Sequence, residues 1–172
     1  MKGLDIVAEL MTVSAITAPK SKGENFIETK ILKGEILKEI SEAMFAYGEK
    51  TKKKDFDRDS KNIAASESVV LIGIKNAEVL GLNCQACGFP ACKELRKQKK
   101  TNGEFMGPIC AFRLLDMGIA LGSAVKTAEI HNVDNRIMYR VGVIVRDMGI
   151  VDWDFVMGIP LSVTGKNIFF DR

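Results

Sequence analysis

Four cysteines, Cys84, Cys87, Cys92 and Cys110, are the only ones in the chain, and they share one stretch with the spacing C-x2-C-x4-C-x17-C. Thiolates of this kind are the usual ligands of a [4Fe-4S] cluster. Three thiols close together, with a fourth returning after a short excursion, let one chain surround such a cubane. Gly88 permits a tight bend between the second and third cysteine. Pro90 stiffens the same turn, and Pro108 stiffens the approach to Cys110. Two other chemistries use the same residues. A structural zinc site also takes four thiolates, mostly as two short pairs, whereas here one pair is followed by a wider step and a lone Cys110. Disulfides need an oxidising compartment, and the opening Met-Lys-Gly-Leu-Asp lacks the apolar core of a secretion signal. The expectation is therefore a cytoplasmic protein with reduced thiols.

The run Asn-Cys-Gln-Ala-Cys-Gly-Phe-Pro-Ala-Cys, from Asn83 to Cys92, resembles the four-cysteine module of corrinoid iron–sulfur proteins and of Rnf-type electron-transfer subunits. That resemblance implies one [4Fe-4S] cluster on Cys84, Cys87, Cys92 and Cys110. Val133 to Tyr139 and the ending Gly158 to Arg172 resemble a family of bacterial and archaeal proteins described as containing a ferredoxin domain. This second resemblance implies a cluster and no particular reaction.

The rest of the chain must position these thiols. Its 172 residues suffice for one domain with a sizeable core. Hydrophobic residues at 47% and charged residues at 27% fit a globular protein. A net charge of +3 is too small to argue for a nucleic-acid partner, and no run of eighteen apolar residues suggests a membrane span.

Leu4, Val7, Leu10 and Met11 recur at helical spacing, which predicts a helix over Leu4 to Ala15 with these on its buried face. Pro19 ends it, and Ala18 to Gly23 reads as a loop. Phe26 to Leu32 suits a short strand. A second helix follows Gly34, with Ile36, Leu37, Ile40, Met44 and Tyr47 on one face and Gly48 as its C-terminal cap. Glu49 to Lys61 is polar, contains Lys50, Lys52, Lys53 and Lys54, and reads as a solvated loop. Ser68 to Ile74 is a continuous, β-branched apolar run that predicts a strand buried on both faces.

After Cys92, a predicted short helix carries Lys93, Arg96, Lys97, Lys99 and Lys100. These cations would stabilise a reduced cluster, steer an acidic electron-transfer partner, or simply solubilise the surface. Ala111 to Ile130 is the longest predicted helix, with Phe112, Leu115, Ile119 and Ala120 interleaved with Gly118, Gly122, Ser123 and Ala124. Such small residues suggest close approach of another backbone, within the chain or across a dimer. The one histidine, His131, falls at a helix end, and with no second histidine and no cysteine outside the cluster motif a Cys–His nucleophilic site has no support. Arg136 to Met148 predicts another helix capped by Gly149, and Phe155 to Ile159 a second apolar strand. Gly165-Lys166-Asn167 lacks the Ser or Thr of a phosphate loop. Asp134, Asp152 and Asp154 form no evident acid–base pair.

The order of pieces resembles a nitroreductase-type flavoprotein, on Ala18, Pro19, Asn25, Val69 to Ile74, Gly118 to Ala124 and Gly158-Ile159-Pro160. The Arg-rich opening that meets the flavin phosphate in that family is absent, and the Ala-Pro to Asn spacing is longer. The resemblance implies an α+β fold, with helices around a small sheet, a homodimer, and FMN held by a loop and the tail. Lys20, Lys22 and Asn25 of the loop, with Gly165 and Lys166 of the tail, are the cofactor-binding candidates, and Gly23 and Gly165 allow close backbone approach. The expected architecture is one domain over 1–172, a nitroreductase-like core with the four-cysteine iron–sulfur module inserted at 82–110. Three functions remain open. One is an oxidoreductase moving electrons between a [4Fe-4S] cluster and a flavin or small substrate. The others are a ferredoxin-like carrier serving a redox partner protein, and a protein whose metal only staples a loop.

Overall fold

The computed structural model describes residues 1–170; Asp171 and Arg172, the last two residues of the Gly158 to Arg172 ending, lie outside them. Four strands form one antiparallel sheet: β1 (Ile27–Lys33), β2 (Ser68–Ile74), β5 (Asp134–Asn135) and β6 (Phe155–Ser162), in the order β1-β2-β6-β5. Helices α1 (Lys2–Thr17) and α5 (Ala111–Ile130) cover one face. Helices α2 (Glu35–Thr51), α3 (Phe56–Ala64) and α6 (Tyr139–Asp147) cover the other. Between β2 and α5 stand the short helix α4 (Cys92–Arg96) and a small hairpin of β3 (Thr101–Asn102) and β4 (Met106–Gly107).

β2 is the hub, and its residues are buried throughout. Val70, Ile72 and Ile74 join the core under α1 and α5, while Val69 and Leu71 join the core under α2, α3 and α6. This is the period-2 alternation of a strand with both faces covered. Two glycines let α6 lie close on β6. A methyl at Gly142 would stand 1.8 Å from the Val156 carbonyl oxygen, and one at Gly158 would stand 2.2 Å from Val141 Cγ1.

Several boundaries differ from expectation for identifiable reasons. α2 runs through Gly48 to Thr51, and Lys52, in the left-handed region at φ 57°, ends it instead. Gly48 is inside the helix because a methyl there would stand 2.7 Å from Phe56 Cβ. The polar stretch after it is not all loop: Phe56 and Ile63 are buried on α3. The predicted Gly149 cap is present. Gly149, at φ +70°, donates its N–H to Arg146 O and Ile150 donates to Val145 O, the paired bonds of a Schellman motif. α6 begins only at Tyr139, because Met138 bridges to Gly158 and Asp134–Asn135 pair with β6. In that register Arg136 faces Pro160, which has no N–H to give, and the ladder breaks there.

The helical faces also shift. Leu10 of α1 is 40% exposed rather than buried, and Leu115 and Ile119 of α5 are 59% and 48% exposed. α5 instead buries Arg113, Asp116, Met117, Ala120, Leu121, Ala124 and Ala128. Gly118 and Gly122 have open space where a Cβ would be, so among the described residues nothing makes the close approach that these small residues suggested. Among the described residues no helix is long and apolar enough to cross a membrane.

Candidate functional site

The strand register assigns every predicted site residue to an end of the sheet. Ile27, Ile74 and Phe155 are aligned at one end, and Lys33, Ser68 and Leu161 at the other. The loop before β1 and the cysteine segment after β2 therefore share the first end. β6 delivers the tail, with Gly165 and Lys166, to the second, about 20 Å away at the rise of an extended strand. The expectation that loop and tail meet is thus corrected within one chain, because β6 runs antiparallel to β2 and carries its end away from the loop.

The cysteine segment is held by hydrogen bonds from its own backbone. Asn83 donates its N–H to Cys92 Sγ at 3.3 Å, and Cys92 donates its N–H to Asn83 Oδ1 at 2.9 Å. Asn83, Gln85 and Gly88 all take positive φ, at 53°, 62° and 83°. The glycine at the third position makes that bend without the side-chain penalty that Gln85 carries. Cys84 is exposed, Cys87 and Cys92 are half-buried and Cys110 is buried, and none is in a disulfide. Cys110 and Cys87 belong to one small apolar cluster with Leu80, Leu95, Phe89 and Phe112.

The excursion between Cys92 and Cys110 is clamped to the core. Lys100 pairs with the buried Asp154 at 2.7 Å, and Asp154 also accepts the Asn76 N–H. Arg146 of α6 donates to Asn102 Oδ1 and to the carbonyls of Gly103, Glu104 and Trp153. Phe105 stacks on Phe155 with ring centroids 4.1 Å apart. The Glu104 carboxylate accepts the hydroxyls of Tyr47 and Tyr139 and the Lys53 ammonium. Burial pulls its pKa upward, but these three bonds outweigh burial and hold it below the ordinary carboxylate value. A cleft of about 290 Å³ opens between α4 and the start of α5, lined in part by Leu95, Arg96, Lys100, Pro108, Cys110 and Asp154.

The loop from Ala18 to Asn25 is fastened to α5 within its first two turns beyond Cys110. Asp116 accepts both the Ser21 N–H and the Ser21 hydroxyl at 2.8 Å. Arg113, 1% exposed, donates to Ser21 O, Glu78 O, Asp116 and Glu24, and its guanidinium lies 4.7 Å from the Phe26 ring centroid. Sequence reasoning missed this pair. Its signal was legible: Arg113 and Asp116 are the only charges between Ala111 and Val125, three residues apart on one face of an otherwise apolar helix.

The cofactor candidates divide. Lys20 is committed to helix capping, with its ammonium donating to the carbonyls of Ala15, Ile16 and Ala18. Burial pushes its pKa below the ordinary lysine value, against the opposing pull of Asp116. Asn25 folds back on Ile27 through both its amide oxygen and nitrogen, fixing the entry to β1. Lys22, exposed and at φ 59°, extends its ammonium to Gly81, where an added methyl would stand 3.7 Å away. It is the candidate that reaches the edge of the cysteine segment. At the far end, Thr164 donates to Lys166 O and Asn167 donates to Asp134.

The donor chemistry of the segment, four unbridged thiols and no histidine, fits an iron–sulfur cluster better than a hard cation. As folded here the thiols are not drawn together: among the described residues no group of three or more His, Cys, Asp or Glu is placed to hold a metal ion. Metal sites of this size commonly complete their geometry on binding.

Known proteins resemble this chain in sequence and in fold. An uncharacterized protein of Archaeoglobus fulgidus is 47% identical over 171 residues, which cover 99% of this chain and 92% of the relative. A nitroreductase with bound FMN from Desulfitobacterium hafniense superposes with a TM-score of 0.58 at 12% identity, over 94% of this chain and 79% of that one. The FMN-dependent nitroreductase of Mycobacterium smegmatis, in complex with NADPH, gives 0.58 at 11% identity over 94% and 78%. A nitroreductase family protein of Clostridium novyi gives 0.58 at 15% identity over 95% and 77%. These structures identify the fold as nitroreductase-like α+β. Residues 106–172 match the family described as uncharacterized proteins containing a ferredoxin domain (DUF2148), a segment that includes Cys110 and begins after Cys92. With a relative this similar along its whole length and that family signature over its C-terminal part, the chain belongs to the family of ferredoxin domain-containing proteins.

Proposed function

We propose that this protein is a cytoplasmic iron–sulfur oxidoreductase in which Cys84, Cys87, Cys92 and Cys110 hold one [4Fe-4S] cluster at the end of a nitroreductase-like core. The observation that carries the reading is the confinement of all four unbridged thiols to the segment between β2 and α5. The family's description and the redox proteins that share the fold support it. When bound, the cluster supplies one-electron transfer, with its potential set by hydrogen bonds and burial around the sulfurs. The chain's own contributions are specific. Asn83 fixes Cys92, the apolar cluster around Leu80, Leu95 and Phe112 dries the Cys110 side, and Arg113 with Asp116 ties the Ala18–Asn25 loop to the same helix turn.

FMN is the flavin this reading implies, since the nitroreductases of similar fold are described with it. Lys22 and the backbone around Gly23 are the part of the loop suited to an anionic group. A second reading, a carrier with no substrate, is favoured by Cys84, which stands exposed where a partner protein could reach it. We also propose that two copies associate through α1 and α5. Ile6, Val13, Leu115 and Ile119 are 61%, 56%, 59% and 48% exposed on these two adjoining helices, an apolar surface of the kind that marks an interface.

The test is anaerobic reconstitution followed by metal analysis and a visible spectrum. About four iron and four sulfide per chain support the assignment. Stoichiometric zinc without iron from an iron-replete preparation overturns it. A flavin band, or a thermal midpoint raised by added FMN, separates the oxidoreductase from the carrier.

A further inference from the structure

The segment from Lys93 to Lys100 carries five cations, Lys93, Arg96, Lys97, Lys99 and Lys100, against one acid, Glu94, a net +4 in a chain whose whole net charge is +3. All five cations are exposed. Three of them have partners: Arg96 with Glu78, Lys97 with Glu94, and Lys100 with Asp154. Lys93 and Lys99 have no ion-pair partner among the described residues. The other three are answered by acids of the same chain, and Lys93 and Lys99 leave the edge with an uncompensated positive charge.

This edge adjoins the cysteines. Lys93 follows Cys92 directly, and the two hydrogen bonds between Cys92 and Asn83 bind the start of α4 to the Leu82–Phe89 turn. That turn presents Leu82, 52% exposed, beside the exposed Cys84. A small apolar centre with a charged rim is the anatomy of a transient protein interface. A rim of one sign raises the encounter rate with a partner of the opposite sign and sets its orientation.

We propose that the edge formed by Lys93, Arg96, Lys97 and Lys99 docks a small acidic electron-carrier protein, whose negative rim meets these cations while its centre covers Leu82 and Cys84. This inference rests on the redox reading above and names its partner class. One feature distinguishes it from nucleic-acid binding: the exposed residues beside the cations are Leu82 and Cys84 rather than aromatic rings on which bases could stack.

Titration calorimetry with a purified plant-type [2Fe-2S] ferredoxin, a small acidic carrier, tests it. The expected result is saturable binding at about 20 mM salt that weakens at least about tenfold at about 200 mM. Lys93→Glu with Lys99→Glu should weaken it by a similar factor, since both side chains are exposed and unpaired and the fold does not depend on them. Lys50→Glu with Lys61→Glu, an equal change in net charge on exposed lysines elsewhere, should leave it unchanged. No binding at low salt, binding unaffected by the first pair of substitutions, or equal loss with the second pair overturns the proposal. Tighter binding of a duplex oligonucleotide through the same lysines overturns it in favour of nucleic acid. Iron and sulfide analysis of the same samples separates the two readings. Normal cluster loading without ferredoxin binding defeats the docking surface alone, and salt-dependent binding by a chain that never takes up iron defeats the cluster alone.

Discussion

Asp116 accepts two hydrogen bonds from Ser21, one from the backbone N–H and one from the hydroxyl, each 2.8 Å long. The contact spans 95 positions in sequence and fastens the loop after α1 to the helix whose N-cap is Cys110. Arg113 sits beneath it, 1% exposed, and neutralises the same carboxylate. Removing one member of a buried pair strands the other charge, which typically costs about 3–5 kcal/mol. Arg113→Met should therefore lower unfolding free energy by about that much in urea denaturation. A double Arg113→Met, Asp116→Leu variant should recover a large part of the loss, because an apolar replacement leaves no orphaned charge. Equal loss in the single and double variants would count against the buried pair as the cause.

The glycines separate into those that fit the core and those that face outward. Gly142→Ala would drive a methyl to 1.8 Å from a backbone oxygen of β6, which cannot move aside as a side-chain tip can. The expected cost is about 3 kcal/mol or more, beyond the usual 1–3 of overpacking. Gly122→Ala meets nothing within 4 Å and should stabilise the isolated chain by up to about 1 kcal/mol through helix propensity alone. The same outward face carries the proposed dimer. Leu115→Glu with Ile119→Glu should keep the far-ultraviolet circular dichroism of the native chain while halving its mass by light scattering. A native chain already monomeric at tens of micromolar would remove the dimer.

How much of this was legible in the sequence depended on whether a signal was local. Ser68 to Ile74 announced itself as a fully buried strand, and Gly149 as a helix cap, because apolar continuity and a required positive φ are written in neighbouring residues. The cysteine spacing is equally local. The spacing of Arg113 and Asp116 on an apolar helix was a local signal, but the groups that Arg113 is buried against were not legible, because Ser21, Glu24 and Glu78 come from two other segments. Lys20 misled for the same reason: composition marked it as a cation near a glycine, and only the course of the chain shows it turned back onto the end of α1. The distance between loop and tail followed from strand direction, which periodicity does not encode.

Both tyrosines of the protein, Tyr47 and Tyr139, donate to the one Glu104 carboxylate. Burial first, and then the bond to Glu104, raise both phenol pKa values, that of Tyr139 to about 12. A phenol held protonated in the fold and released in the unfolded chain contributes stability below its unfolded value near 10, and that contribution is lost as pH rises toward 12. Phenolate absorbance should thus show no normal tyrosine titration in the native protein. Glu104→Gln should move both midpoints down while leaving the part due to burial. A native titration centred on the ordinary tyrosine value would show that the cluster does not hold in solution.

Lys20 and Lys22, two positions apart, should fail in different ways. The Lys20 ammonium satisfies three carbonyls at the end of α1, so Lys20→Ala should cost about 1–2 kcal/mol of stability. It should leave any affinity for FMN largely unchanged once corrected for folding. Lys22 sits at φ 59°, a conformation that suits glycine better than lysine, and among the described residues its ammonium makes no hydrogen bond. Lys22→Gly should be neutral or slightly stabilising by thermal denaturation, since it relieves left-handed strain of about 1 kcal/mol. In the reconstituted protein the same substitution should abolish the rise in thermal midpoint produced by FMN, because it removes the one loop cation that reaches Gly81 at the edge of the cysteine segment. If Lys20→Ala lost the FMN response and Lys22→Gly kept it, the flavin would lie on the α1 side of the loop and the assignment of Lys22 would be wrong.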